Sequence, residues 1–228
     1  MIDHAHDLAC VRDATDRLLT AVAELDNASL SLPSRLPGWT RGHVLAHLAR
    51  NADALVNVLE GRPMYASAEQ RDADIERDAP RPVAAQLADV RESAARFRAA
   101  GDTPADWTRT VELRNGVTDS AARIPFRRWA EVELHHVDLG AGYELEHLPA
   151  EFLERETGFL AQRFAGRPEV PATRITDGTR AWSTGREADV PEVTVTGRPA
   201  DLMGWLAGRR DGAALEVRGG ALPKLPPL

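Results

Sequence analysis

Glu131 and His135 stand four residues apart in RRWAEVELHHVDLG, and His47 lies far upstream in GWTRGHVLAHLARNADAL. Residues four apart on a helix share a face, so this carboxylate and imidazole can point at one ion. With His47 supplied from a second helix, about three protein ligands leave a coordination position open. That is the catalytic arrangement for Zn²⁺ or a similar divalent cation, as opposed to the closed structural one. The same spacing also suits an ion pair on a solvated helix face, and His47 would suit the apolar face of HVLAHLA. His43 lies four residues before His47, but a fourth ligand would close the site, so we read it as a supporting or structural residue. His136 points about 100° away from His135 around the helix. Asp138, three residues after His135, is placed to orient that imidazole or to sit at the helix end.

These residues need helices to carry them. Leu8, Val11, Leu18, Leu19, Val22 and Leu25 recur at helical spacing and predict an amphipathic helix over 4–26. SLPSRLPGWT reads as a loop, with Thr40 an N-cap for a second helix running to about Glu60. PVAAQLADVRESAARFRAA predicts a third helix, with Pro82 tolerated in its first turn, and Ile124 to about Leu139 a fourth. Long helices joined by few loops predict a four-helix bundle over residues 1–150. After one more helical segment, AEFLERETGFLAQRFAG, the texture changes. ATRITD, RAWST and EVTVTG are short, Thr- and Val-rich, and read as strands. With a short helix over 199–207 and a strand over 215–218, residues 151–228 form a small α/β domain, led by that helical segment. The boundary falls within 148–168. Trp39 and Trp205 are read as packing residues.

Composition narrows the function. The chain of 228 residues is 43% hydrophobic and 28% charged, ordinary values for a globular chain with a real core. No apolar run approaches the roughly 18 residues that suggest a membrane span, and MIDHAHDLACVRD has no secretory pattern, so we expect a cytoplasmic protein without a membrane partner. Cys10 is the single cysteine, which excludes an intrachain disulfide and a cysteine-rich zinc site. Any thiol chemistry would use a thiol from outside. A formal net charge of -7, without a basic block interleaved with aromatics, argues against nucleic acid. Lys224 is the only lysine among 28 basic residues. The rest are arginines, whose planar forks suit carboxylates.

Three segments, LPGWTRGHVLAHLARNADAL, WAEVELHHVDLG and GRPADLMGWLAGRRDG, together resemble the mycothiol-dependent maleylpyruvate isomerase family, and the resemblance covers both portions of the chain. It implies a DinB-like bundle whose His47, Glu131 and His135 hold zinc, followed by a small sterol-carrier-like α/β domain. It also implies a catalytic arginine in that domain, Arg209 or its neighbour Arg210, although cations just after a short helix equally suit its C-terminus. The implied partners are mycothiol and a small acidic substrate from aromatic catabolism. The implied reaction turns maleylpyruvate into fumarylpyruvate: a thiolate adds to the double bond, the resulting single bond rotates, and elimination returns the trans alkene and the thiol. A free thiol with a pKa near about 8.5 is mostly protonated at neutral pH, and a metal would remove that proton or polarise the substrate carbonyl. On this reading the bundle activates the thiol, the small domain recognises the anion, and substrate lies between them. Two alternatives share the sequence features: transfer of the thiol to an electrophile, and non-catalytic binding of a small ligand. The sequence leaves the oligomeric state open.

Overall fold

Helix ends in this chain are marked by side chains that satisfy the orphaned amides. Asp3 accepts from the His6 amide at 3.0 Å and starts α1, His4–Ala23. Asp26 caps the short α2, Asn27–Leu30, through the Ser29 amide at 2.7 Å. The helix expected over 4–26 therefore ends at Ala23, and α2 follows it as a separate short helix. Thr40 caps α3, Arg41–Leu59, in a capping box: its hydroxyl accepts from the His43 amide while His43 Nδ1 accepts from the Thr40 amide at 3.2 Å. Next come α4, Ala68–Asp78, and α5, Val83–Asp102. A two-stranded antiparallel hairpin follows, β1, Thr110–Glu112, and β2, Thr118–Ser120, and then α6, Ile124–Asp138. The computed structural model describes residues 2–103, 106–185 and 190–227.

The chain divides into two compact units, Met1–Tyr143 and Glu144–Leu228. In the first, α3 packs on α5 and α6, and α1 packs on the same two helices, which closes a four-helix bundle. Its core includes Leu18, Leu45, Leu48, Ile124 and Val132, each with none of its surface exposed. Burying one such aliphatic side chain contributes roughly 1.5–3 kcal/mol. The α4 helix and the hairpin lie outside the sequence expectation. The α4 sequence AEQRDADIERD is almost wholly polar and buries only Ile75 and Asp78, so it carries no apolar stripe to read.

Polar and steric contacts seat α4 instead. The buried Gln86 amide nitrogen donates to the carbonyls of Asp78 at 2.8 Å, Ala79 at 3.2 Å and Gly42 at 3.3 Å, tying α5, α4 and α3 together. Gly42 lets the end of α4 approach closely. A Cβ at residue 42 would lie 2.2 Å from the Ala79 carbonyl oxygen, a clash with backbone that no rotamer relieves. Arg50 on α3 adds an ion pair to Asp89 of α5 at 2.7 Å.

In the second unit α7, Ala150–Phe164, packs on α8, Pro199–Leu206, and on β4. The strands are β3, Thr173–Thr176, β4, Ala181–Ser183, β5, Val193–Thr196, and β6, Glu216–Arg218. They form one sheet in the order β4-β3-β5-β6, with β3 and β5 parallel and the other pairs antiparallel. Alternation in VTVT buries Val193 and Val195 and turns the threonines outward, within one of the strands that the Thr- and Val-rich segments predicted. A helical region followed by a small sheet-containing α/β region is the fold class the sequence predicted. Among the described residues no helix is long and apolar enough to cross a membrane.

Candidate metal centre

The four-residue spacing on α6 does what helical geometry requires. Glu131 Oε2 lies 3.3 Å from His135 Nε2, and it also lies 3.0 Å from His47 Nε2, which α3 brings in from across the bundle. The imidazoles meet edge to face with centroids 4.6 Å apart. One donor atom from each of His47, Glu131 and His135 lies within 4.8 Å of the other two. His47 and His135 are largely covered, with side chains 8% and 13% exposed, whereas Glu131 is one-third exposed, so the cluster opens to solvent on one side.

Two nitrogens and one carboxylate oxygen from three residues match the donors and the open geometry of a catalytic zinc site. The surroundings fit as well. Asp138, fully buried, has Oδ2 2.9 Å from His135 Nδ1, so it can accept that nitrogen's proton and leave Nε2 facing the cluster. Trp39 packs its ring 5.5 Å from His47. The α6 helix is fixed at its C-terminus by Arg41, whose guanidinium donates to the carbonyls of Leu139 at 2.8 Å and Gly140 at 2.7 Å. Its opposite face is held by buried Glu133, which accepts from Trp129 Nε1 at 3.0 Å, the Tyr143 hydroxyl at 2.9 Å and Arg17 at 2.5 Å.

Protonation follows from these contacts. Burial drives His47 down to about 4, outweighing its hydrogen bond to Glu131, so it is neutral at physiological pH. Burial alone would raise Glu131, but hydrogen bonds from His135 and His47 prevail and hold it well below the usual carboxylate range. His135 is raised: burial opposes its charge, and Asp138 and Glu131 together overcome that penalty. A neutral imidazole and an ionised carboxylate are the forms in which these groups ligate metal.

The remaining histidines take other work. His43 Nδ1 faces Thr40 and its Nε2 lies 3.3 Å from Glu76 Oε2, so it caps α3 and stands outside the three-residue cluster. His136 stacks on Tyr143 at 4.0 Å, turned away from His135 as the helix dictates. In the second unit, Arg210 pairs with Asp201 and with Glu146 at 2.6 Å, and Arg209 Nη1 donates to the Ala207 carbonyl at 2.7 Å. Trp205 is buried.

Three neighbours escaped the sequence reading. Arg71 on α4 places Nη2 3.2 Å from His47 Nδ1, and Tyr65 lies beneath its guanidinium. Nothing in the α4 sequence marks that arginine among its charged neighbours. Arg128 is fully buried, donating to the Leu48 carbonyl at 2.9 Å and Asn51 Oδ1 at 2.8 Å, and burial lowers it to about 10. Its position three residues before Glu131 was the available signal, since that spacing shares a helix face. Tyr65 also lines a cavity of about 580 Å³ with Arg62, Arg109, Arg114 and Asn115. None of the three cluster residues lines it.

Comparison with known proteins agrees with this fold. The profile of the mycothiol maleylpyruvate isomerase N-terminal domain matches residues 11–140, and that of the MDMPI C-terminal domain matches residues 147–227. No curated protein matches the chain. Two solved structures, the crystal structure of the mycothiol-dependent maleylpyruvate isomerase and that of a histidine-to-alanine mutant of it, superpose with a TM-score of 0.88. Each is 26% identical, with 99% of this chain and 97% of that chain covered. With both portions matched in order and the fold shared along the whole length, this chain belongs to the mycothiol-dependent maleylpyruvate isomerase family.

Proposed function

We propose that this protein isomerises maleylpyruvate to fumarylpyruvate with mycothiol as the thiol, at a divalent metal, zinc, held by His47, Glu131 and His135. The observation that carries the reading is the convergence of two imidazole nitrogens and one carboxylate oxygen within 4.8 Å in a chain of this family. A metal there would keep a thiol ionised at neutral pH, and a thiolate that adds to the double bond and leaves again lets that bond rotate.

The chain's own residues have definable tasks. Asp138 accepts the His135 Nδ1 proton and so fixes which nitrogen faces the ion. Hydrogen bonds from His135 and His47 keep Glu131 ionised. In the second unit we assign anion recognition to Arg209 or its neighbour Arg210, as the resemblance implies. The bundle domain and the small α/β domain are proposed to extend over 1–150 and 151–228. We place the protein in the cytoplasm.

The test is turnover of maleylpyruvate by zinc-loaded protein with and without mycothiol, alongside His47→Ala with its metal content quantified. The expected result is thiol-dependent conversion without net thiol consumption, and loss of both metal and activity in the variant. Stoichiometric loss of thiol would replace isomerisation with transfer. Ligand affinity that survives metal removal, without turnover, would leave a binding protein.

A further inference from the structure

Among the described residues Arg71 is the one arginine whose guanidinium hydrogen-bonds to a member of the cluster. Its side chain is 12% exposed, and its one direct ion pair among the described residues is with Asp72. Nη2 donates to His47 Nδ1 at 3.2 Å, and since a guanidinium has donors only, that nitrogen is the acceptor. Nη1 pairs with Asp72 at 2.6 Å, but that carboxylate is 61% exposed and therefore a weak, screened partner. The Tyr65 ring lies 5.9 Å from the guanidinium carbon. Arg50 and Arg210 differ, since each has a carboxylate partner that is at most 14% exposed. Among the described residues Arg71 is thus a covered cation whose direct ion-pair partner is exposed, next to a cluster that holds the carboxylate of Glu131.

Its hydrogen bond to His47 is also incompatible with ligation. A donor on Nδ1 requires the proton of the neutral imidazole to sit on Nε2, where it is donated to Glu131. A metal ion on Nε2 needs that lone pair, so the proton moves to Nδ1. Two donors then face each other, imidazole N–H and guanidinium N–H, and an acceptor oxygen between them satisfies both. The planar fork of arginine matches a carboxylate, and its aliphatic stem lets the head swing without moving the helix.

We propose that Arg71 binds a carboxylate of the substrate at this centre, exchanging its hydrogen bond to His47 for one to the substrate once the cluster holds a metal. This rests on the reading of the cluster as a metal centre with an acidic substrate. It gives anion binding to the same unit that carries the metal ligands, beside whatever Arg209 or Arg210 contributes.

The experiment compares the parent with Arg71→Met and Arg71→Lys as full-length zinc-loaded proteins. Bound zinc and zinc affinity are measured first. Both should match or exceed the parent in the Met variant, because a competing donor and a like charge are gone. A residue that only props His47 would instead lose ten- to hundredfold in affinity on removal. Calorimetric titration with succinate, a dicarboxylate that cannot isomerise, should then show at least tenfold weaker binding for Arg71→Met and partial recovery for Arg71→Lys. With maleylpyruvate, KM should rise at least tenfold while kcat stays within a few-fold. A Met variant with parental KM and succinate affinity overturns the proposal, as does a parent that binds no succinate. A parent that binds succinate through Arg71 yet leaves maleylpyruvate unchanged keeps this role and removes the isomerase reading.

Discussion

Three side chains and one buried aspartate define the centre, and they differ in how openly the sequence displays them. Glu131 and His135 announce themselves by spacing, and His47 by the segment around it. Arg71 does not, because its approach to His47 depends on how a mostly polar helix packs, which its sequence does not display. Asp138 stands between these cases: three residues from His135, it could have been a helix-end charge. In the structure it is fully buried against His135 Nδ1 at 2.9 Å. We predict that Asp138→Asn weakens zinc binding about 10- to 100-fold while the protein stays folded, because an amide supports the imidazole tautomer less well. Competition with a calibrated chelator measures this, and parental affinity would show that Asp138 serves only the helix end.

Elements explain what periodicity could not. The bundle helices α1, α3, α5 and α6 carry apolar stripes and were legible, whereas α4 is held by Gln86, by Arg50 against Asp78, and by the absence of a side chain at residue 42. The hairpin of β1 and β2 was missed because strands of three residues are too short to show alternation. We predict that Gly42→Ala costs about 1–3 kcal/mol, the usual range for overpacking, by pushing the end of α4 away from α3. Chemical denaturation gives the stability. Zinc affinity should change little, since His47, Glu131 and His135 lie on α3 and α6, whereas the KM for maleylpyruvate should rise with the displacement of Arg71.

At the scale of the whole molecule, two units with separate cores depend on many arginine–carboxylate pairs. In the second, Asp201 is held below its ordinary value: burial would raise it, but hydrogen bonds from Arg198 and Arg210 prevail. Glu146 is likewise lowered, chiefly by Arg210. Both carboxyls bind protons more readily when unfolded. Their contribution is therefore present above the ordinary values of 3.8 and 4.5 and is lost as pH falls through the lower folded ones. Asp201→Asn should lower stability by about 2 kcal/mol at neutral pH and flatten the acid limb of the unfolding curve. An unchanged acid limb would assign the acid sensitivity to other carboxylates. The opposite limb follows from the near absence of lysine. Guanidinium groups paired with carboxylates keep their charge beyond about pH 12, and half-buried Tyr143 is pushed up to about 12. The arginine–carboxylate pairs among the described residues therefore titrate from one side only, and this electrostatic stitching should survive alkaline conditions in which a lysine-based counterpart would already be coming apart.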